Sequence, residues 1–157
     1  MTKRKQRSPL KGYQSGIAGE YFVAAELSRK GYVASLTLKN TAGIDILASN
    51  TKATRTIAIQ VKTNQGKSPV WTLGEKAEEF ESPRLFHVFV TLGKPGSTPE
   101  FYVVPSAVVA RGVKRRYLEW LNTPGHHGQK RNPNPMRTYP VPKRSQNAWS
   151  RLKLDPR

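Results

Sequence analysis

The 157-residue sequence contains no cysteine. This absence excludes disulfide bonds, thiolate metal sites and a cysteine nucleophile. Long apolar runs are also missing. No stretch reaches a length of about 18 apolar residues, which would suggest a membrane-spanning helix. The basic residues 1–7 are not followed by the apolar segment of a signal peptide. We therefore expect a protein that is neither secreted nor membrane-bound, and we expect it in the cytoplasm.

Acidic residues are scarce, because 10 Asp and Glu stand against 27 Lys and Arg, which gives a formal net charge of +17 at pH 7. Residues 1–11 carry five basic and no acidic residues, and residues 111–157 carry twelve basic and two acidic residues. Such basic ends favour a polyanionic partner, since each phosphate that Lys or Arg neutralises releases condensed counterions. A solubilising tail is the plain alternative. An acidic membrane surface is disfavoured, because neither end has an amphipathic helix with bulky apolar anchors.

The length suits one domain, and no internal repeat is visible. We expect a basic N-terminal arm over residues 1–11, a core domain over residues 12–121, and a basic extension rich in Pro and Asn over residues 122–157. Five prolines predict an extended loop over residues 122–147. Beyond this loop, Trp149 and its apolar neighbours are expected to dock back on the core as about one helical turn.

Apolar periodicity and turn residues predict alternating helices and strands. The first helix is predicted over residues 16–30 and ends at Gly31. Residues 44–49 and 56–62 have the short spacing and polar tip of a hairpin. The complete prediction is helices over 16–30, 73–81 and 106–121, with strands over 32–38, 44–49, 56–62, 85–92 and 101–104.

Asp45 is the main candidate for chemistry, because it is one of two aspartates and lies within an apolar strand. A carboxylate in such a strand is costly unless a cation or hydrogen-bond donors meet it. Gln60 and Lys62 lie two residues apart on one face of the neighbouring strand, so both can converge beside Asp45. From spacing alone, a buried salt bridge between Asp45 and Lys62 explains this pattern as well as a metal site does.

In the metal interpretation, Asp45 and the side-chain oxygen of Gln60, with the Val61 carbonyl, are hard oxygen ligands for Mg²⁺ or Mn²⁺. Lys62 would orient or activate a water molecule next to a phosphodiester. Glu20 is the fourth expected member of the site, where it would bind the metal directly or through a water molecule. It lies in the first turns of the leading helix, where it can face the sheet.

The order of these residues is informative. The predicted helix carries Gly16-x-x-Gly-Glu20, one strand carries Gly43-Ile-Asp45-Ile-Leu, and the next strand carries Ile59-Gln60-Val-Lys62. This order of motifs resembles that of the PD-(D/E)XK nuclease superfamily. The resemblance spans about residues 12–105. It implies an α/β fold with a restriction-endonuclease-like αβββαβ core, in which helices flank a mixed central sheet.

The resemblance also implies a function and a site. Asp45 and Gln60 would be metal ligands, Lys62 the catalytic lysine and Glu20 the acidic partner from the helix. The expected activity is endonucleolytic hydrolysis of DNA that depends on Mg²⁺ or Mn²⁺, with RNA as the other nucleic acid to consider. One such site cuts one strand, so a double-strand cutter of this size is expected to be a symmetric homodimer.

The sequence departs from the superfamily pattern at two positions. Ile44 stands where the motif's name places Pro, which is a loose position. Gln60 stands where many members have Glu, and this removes one negative charge from the metal site. In this respect the sequence resembles the Mrr type of restriction endonuclease, which uses Gln-x-Lys, while archaeal Holliday-junction resolvases share the compact layout.

Two other functions remain open from the sequence. The first is a nuclease-fold module that binds DNA or RNA without cutting it, with Asp45 and Lys62 as a buried ion pair. The second is a basic scaffold of an RNA assembly, although such a protein has no use for a strand aspartate opposite Gln-x-Lys. His126 and His127 could suggest a metal nuclease of the HNH type, but a third downstream histidine is missing. His87 is expected to be a core or half-exposed residue.

Basic and aromatic residues outside the site are candidates for contacts with nucleic acid. Trp71 follows the Gln-x-Lys strand and could stack on a base, but it could equally cap the core. The basic part of the last helix could track phosphates or form a solvated face. The complete set of predicted contact residues is Lys39, Lys67, Trp71, Arg111, Lys114, Arg115, Arg116, Lys130 and Arg131.

Overall fold

The computed structural model describes residues 10–38, 43–66 and 68–155. Two α-helices flank the fold, α1 over Gly12–Arg29 and α2 over Ser106–Asn122. Three short 3-10 helices cover Glu75–Glu78, Lys143–Ser145 and Trp149–Leu152. The strands are β1 (Val33–Leu36), β2 (Ile46–Ser49), β3 (Thr56–Asn64), β4 (Val70–Gly74), β5 (Leu85–Thr91), β6 (Glu100–Pro105) and β7 (Met136–Pro140).

Five strands form a mixed central sheet in the order β1-β2-β3-β5-β6. The β3–β5 pair is parallel, and the other three pairs are antiparallel. Strands β4 and β7 pair antiparallel as a separate two-stranded sheet. The prediction of an α/β fold with a mixed central sheet flanked by helices is therefore confirmed.

Each face of the central sheet has its own core. The main core lies between the sheet and α1, where Val23 and Leu27 pack on Ile57, Ile59 and other buried strand residues. The second core lies on the opposite face, where α2 packs its buried residues over β5, β6 and the β4–β7 sheet. Alternation along β3 sends odd-numbered side chains to α1 and even-numbered ones to the other face.

Helix α1 begins four residues before the predicted start. The side-chain oxygen of Gln14 accepts the N–H of Lys11, which satisfies one donor of the first turn. The helix ends as predicted, since Gly31 follows it with a φ of 85°, a conformation that suits glycine.

Two secondary-structure predictions are wrong. In place of the helix predicted over residues 73–81, Leu73 belongs to β4 and a 3-10 helix follows. The extended loop predicted over residues 122–147 contains β7. Both errors have one cause: β4 and β7 pair with each other, and this pairing buries Trp71 and Leu73 opposite Tyr139 and Arg137. Because the two strands are distant in sequence, no local sequence pattern indicates that they pair.

The C-terminal segment packs on the main core. Trp149 is buried there, together with Leu152 and Leu154. The Lys30 ammonium lies 5.6 Å from the centroid of the Trp149 ring, and the Tyr32 hydroxyl donates to the Asp155 carboxylate at 2.5 Å. Within the described ranges, no helix is long and apolar enough to cross a membrane.

Candidate active site

Asp45 immediately precedes β2 and is held from both sides by neighbouring strands. Its N–H donates to the carbonyl of Ile59 at 2.9 Å, and its carbonyl accepts the N–H of Thr37 at 2.9 Å. Its side-chain oxygen Oδ2 accepts the N–H of Val61 at 2.6 Å. The carboxylate therefore lies against β3 at Val61, while Oδ1 makes no hydrogen bond or ion pair with any other described residue.

Gln60 and Lys62 flank Val61 and are both half-buried. Because Val61 faces α1, the alternation of β3 places Gln60 and Lys62 on the opposite face. The β3–β5 register sets Gln60 opposite His87 and Lys62 opposite Phe89. Asp45 is thus next to the two residues that the sequence predicts as its partners.

Asp45 and Lys62 do not form the buried ion pair that remained open from the sequence. The ion pairs among the described residues join Glu26, Glu78 and Glu119 to basic residues other than Lys62. Lys62 also makes no hydrogen bond within the described part of the chain. Its ammonium is therefore not neutralised by the aspartate.

Glu20 is half-buried on α1, next to the point where the helix crosses β3. The crossing is close at Gly19, where an added Cβ would lie 1.9 Å from Oγ1 of Thr63. Only a glycine fits there, and Thr63 is the residue after Lys62. Glu20 therefore lies beside the end of β3 that carries Lys62 and Thr63. Helix α1, however, covers the sheet face opposite to that of Gln60 and Lys62.

The donor atoms suit a hard divalent cation. Oδ1 of Asp45 and the Gln60 side-chain oxygen have no partner among the described residues, and both are the oxygen ligands that Mg²⁺ prefers. Within the same residues, no group of three His, Cys, Asp or Glu side chains could hold a metal ion. The candidate site is therefore poor in carboxylates, and it fits an ion such as Mg²⁺ that keeps several water ligands.

His87 is the residue beside this site that the sequence does not assign to it. It is fully buried on β5, and neither ring nitrogen has a hydrogen-bond partner in the described structure. Its ring stacks on Phe89 at a centroid distance of 5.9 Å and meets Phe80 edge-on at 6.5 Å. Burial, together with the positive charge of Lys62, lowers the pKa of His87 to about 4. Its position opposite Gln60 follows from strand pairing, which no local pattern reveals.

The predicted nucleic-acid contacts have different outcomes. Lys39 and Lys67 lie outside the described residues. Trp71 is only 3% exposed and packs between Phe89 and Tyr102 at centroid distances of 5.3 and 5.8 Å. Base stacking by Trp71 is therefore wrong, because its ring is part of the second core.

The basic residues of α2 lie on the surface as expected. Arg111, Lys114 and Arg115 are exposed, while Arg116 donates through Nε to the Thr138 hydroxyl at 3.0 Å. Arg144, which the sequence analysis did not select, lines the same groove as Arg111. These residues form a continuous basic surface, called here the α2 basic face: Arg111, Lys114, Arg115, Arg116 and Arg144.

The loop after α2 contributes further basic groups. Lys130 is exposed, and the Arg131 guanidinium lies 4.8 Å from the centroid of the Trp120 ring. His126 and His127 are exposed with ring centroids 5.1 Å apart, and no third metal ligand joins them within the described ranges. The loop therefore extends the basic surface.

Comparison with known proteins relates this fold to solved structures. No family model matches the chain, and no curated protein matches it. The bacterial homing endonuclease I-Ssp6803I is 13% identical, with a TM-score of 0.54 over 92% of this chain and 91% of that chain. Hjc, a Holliday junction resolvase from Archaeoglobus fulgidus, is 15% identical, with a TM-score of 0.45 over 80% of this chain and 83% of that chain. This chain therefore shares the restriction-endonuclease-like fold of the homing endonuclease.

Proposed function

We propose that this protein is a metal-dependent endonuclease that hydrolyses phosphodiester bonds in DNA with Mg²⁺ or Mn²⁺. The observation that supports it most directly is the position of the Asp45 carboxylate. One of its oxygens is fixed on the Val61 N–H at 2.6 Å, between Gln60 and Lys62 along β3. A fixed carboxylate oxygen, an amide oxygen and an ammonium at one corner are the groups that metal-assisted phosphodiester hydrolysis needs.

Each residue has a proposed role. Asp45 and Gln60 would hold the ion, which when bound polarises the phosphoryl oxygen and lowers the pKa of its water. Lys62 would offset the negative charge that develops on the phosphate in the transition state. Its ammonium suits this role because no carboxylate neutralises it within the described structure. Glu20 would act from α1 as the acidic partner of the same site.

The charge distribution supports a nucleic-acid substrate. The chain carries a formal net charge of +17, and the α2 basic face adds exposed cations on the same side of the central sheet as Gln60 and Lys62. DNA is the proposed partner, and RNA is the other nucleic acid to test. A double-strand cutter with one site per chain would act as a homodimer, and we expect it in the cytoplasm.

A second candidate function is a nuclease-fold module that binds nucleic acid without cutting it. The observation that favours it is Gln60 in place of Glu, which leaves Asp45 as the only carboxylate within the described residues 43–66. Such a module would bind DNA or RNA with strong salt dependence and with no need for a divalent ion.

Cleavage of supercoiled plasmid separates the two functions. The wild type, Asp45→Ala and Lys62→Ala would each be incubated with Mg²⁺, Mn²⁺ or EDTA, with Lys52→Ala as a control in the exposed turn at the other end of β3. We expect ion-dependent nicking by the wild type and Lys52→Ala, and loss of nicking with retained mobility shift in the other two. Nicking by Asp45→Ala or Lys62→Ala at the wild-type rate would disprove the site. A mobility shift by the wild type without nicking would favour the binding module.

A further inference from the structure

A surface cavity lies between the second half of α2, the loop that follows it and β7. It encloses about 340 Å³, which is at the lower end of the roughly 300–1,000 Å³ typical of sites for small ligands. Helix α2 packs on the same side of the central sheet as Gln60 and Lys62. We call this space the α2–β7 cavity, and its lining includes Arg116, Tyr117, Trp120, Arg131, Met136 and Arg137.

Two aromatic rings form one wall of the α2–β7 cavity. Tyr117 and Trp120 lie about one turn apart on α2 and stack at a centroid distance of 5.8 Å, with an angle of 22° between their planes. The loop holds this wall in place, because the Tyr117 hydroxyl accepts the N–H of Asn134 at 3.1 Å. The thioether side chain of Met136 adds an apolar edge and is 56% exposed. The wall is thus fixed by the fold and suits a flat, partly apolar group.

Three arginines line the same cavity, and within the described structure one of them is neutralised. Arg137 is buried and forms an ion pair with Glu78. Arg116 donates through Nε to β7 at 3.0 Å and has no ion pair among the described residues. Arg131 likewise has no ion pair there, and its buried Nε has no hydrogen-bond partner in the same part of the chain. Two cations at the cavity are therefore available to a ligand.

The unpaired donor of Arg131 indicates an anionic ligand. Its guanidinium lies 4.8 Å from the centroid of the Trp120 ring, so this cation is held against the aromatic wall. Buried donors in proteins nearly always have a partner, and phosphate is an acceptor that matches the geometry of a guanidinium. The acidic side chain of the lining, Glu119, lies 3.9 Å from Arg115, and both side chains are largely exposed. Glu119 therefore does not neutralise Arg131.

We propose that the α2–β7 cavity binds one unpaired nucleotide of DNA. The base lies against Trp120 and Met136, and the phosphate binds Arg116 and Arg131. An anion alone would use the two arginines but not the aromatic wall. A base within a duplex is stacked between its neighbours, whereas an unpaired nucleotide offers a free ring and a phosphate together. DNA with a single-stranded, gapped or branched segment is then the substrate class, and this consequence rests on the proposed function.

Tryptophan fluorescence in EDTA tests the contact with the base without metal or cleavage. Of the three tryptophans, Trp71 and Trp149 are buried at 3% and 7% exposure, so the half-buried Trp120 is the one that a ligand can reach. We expect an oligothymidylate of about ten nucleotides to quench the emission of the full-length protein. An abasic strand of the same length, which has the phosphates without the bases, should not quench it. Trp120→Phe should still bind the oligothymidylate but lose the quenching.

Fluorescence anisotropy of labelled strands measures the affinity. Trp120→Leu and Arg131→Ala should each weaken the binding of oligothymidylate about tenfold. For the abasic strand and for a duplex of the same length, Trp120→Leu should weaken binding less than about twofold. The matched controls are Tyr13→Leu, which removes an exposed aromatic side chain from α1, and Lys52→Ala, which removes an exposed cation from the β2–β3 turn. Both controls should change every affinity less than about twofold.

Several results would overturn the proposal. Equal weakening by Trp120→Leu for oligothymidylate and the abasic strand would show that the cavity binds phosphate alone. Thymidine monophosphate that binds as tightly as the strand would assign the cavity to a free nucleotide, and tighter binding of oligouridylate would assign it to RNA. If Trp120→Leu does not fold, the loss of quenching in Trp120→Phe and the comparison of wild-type quenching by the two strands decide the matter.

Cleavage keeps this proposal apart from the nuclease proposal. With Mg²⁺, we expect the wild type to cut a duplex with a single-stranded gap about tenfold faster than an intact duplex, and Trp120→Leu to reduce this preference to less than about twofold. Equal cutting of both substrates by the wild type would overturn unpaired DNA as the substrate class. If neither substrate were cut, the proposed function would fail while the binding results stood. Cutting of the intact duplex by a protein whose Trp120 is not quenched would overturn the nucleotide site alone.

Discussion

The Oδ2 atom of Asp45 accepts the backbone N–H of Val61 at 2.6 Å, so a side chain of the proposed metal site also takes part in joining β2 to β3. A strand carbonyl would ordinarily accept such an N–H. One carboxylate oxygen is thus committed to the fold, while the other has no partner among the described residues. Asp45 therefore serves both the fold and the proposed chemistry, and substitutions can separate these two roles.

Replacing Asp45 by Asn or by Ala should give equal losses of activity but different losses of stability. Asn keeps an oxygen for the Val61 N–H, whereas Ala leaves that N–H unpaired at a cost of about 1–3 kcal/mol. Both remove the charged metal ligand, so nicking should fall about 100-fold or more in each. Urea denaturation and plasmid nicking measure the two effects. Equal stability of the two variants would contradict the structural role of the Val61 contact.

The two glycines of the α1 motif should respond oppositely to alanine. A Cβ at Gly16 meets nothing within 4 Å, so Gly16→Ala should stabilise the protein by about 0.5–1 kcal/mol through helix propensity. A Cβ at Gly19 would overlap Thr63, so Gly19→Ala should destabilise it by about 1–3 kcal/mol.

Thermal unfolding of both variants measures these changes. The additional change Thr63→Ala should recover part of the loss in Gly19→Ala, because it removes the overlapping Oγ1 atom. If Gly19→Ala were as stable as Gly16→Ala, the close approach of α1 to β3 would be disproved.

Stability should fall on mild acidification because of His87. Its pKa is lowered to about 4 in the folded protein, against 6.5 for an ordinary histidine, so the unfolded chain binds more protons between these two values. The stabilising contribution of neutral His87 is fully present above pH 6.5 and is lost as the pH falls. At pH 4 the loss of stability amounts to about 3 kcal/mol. Denaturation in EDTA as a function of pH checks this.

Variants identify the group responsible for the pH dependence. His87→Phe should flatten the stability profile over this range, whereas the loop variant His126→Gln should leave it unchanged because His126 is exposed. A profile for His87→Phe as steep as that of the wild type would assign the effect to other groups.

The α2 basic face should govern the salt dependence of DNA binding. Each phosphate contact contributes about 0.9 to the slope of log K against log salt concentration, so Arg111→Ala/Arg115→Ala should reduce the slope by up to about 2. Fluorescence anisotropy with a DNA duplex measures the slope. The matched control Lys52→Ala/Arg55→Ala also removes two exposed cations, but from the β2–β3 turn, and should change the slope less. Equal effects of the two pairs would argue against a defined DNA-binding face.

Local periodicity predicted most of the elements that carry the proposed site. Strand alternation places Gln60 and Lys62 on one face because its period of two residues is fixed by the backbone, and Asp45 follows from the adjacent hairpin. Contacts between distant segments could not be predicted in this way. Arg137, for example, is buried in an ion pair with Glu78, which lies 59 residues away. For the same reason, the sequence did not predict β7 or the position of His87 opposite Gln60.

The docking of the C-terminal segment has a consequence for how the protein folds. Tyr32, just after α1, bonds Asp155, and these residues are 123 positions apart. Closing so long a loop slows folding more than it lowers the final stability. The main core that supports α1 also needs Trp149 and Leu152, so it is complete only once that segment has docked. We therefore expect the helix carrying Glu20 to become rigid late in folding, after the local β2–β3 hairpin has formed.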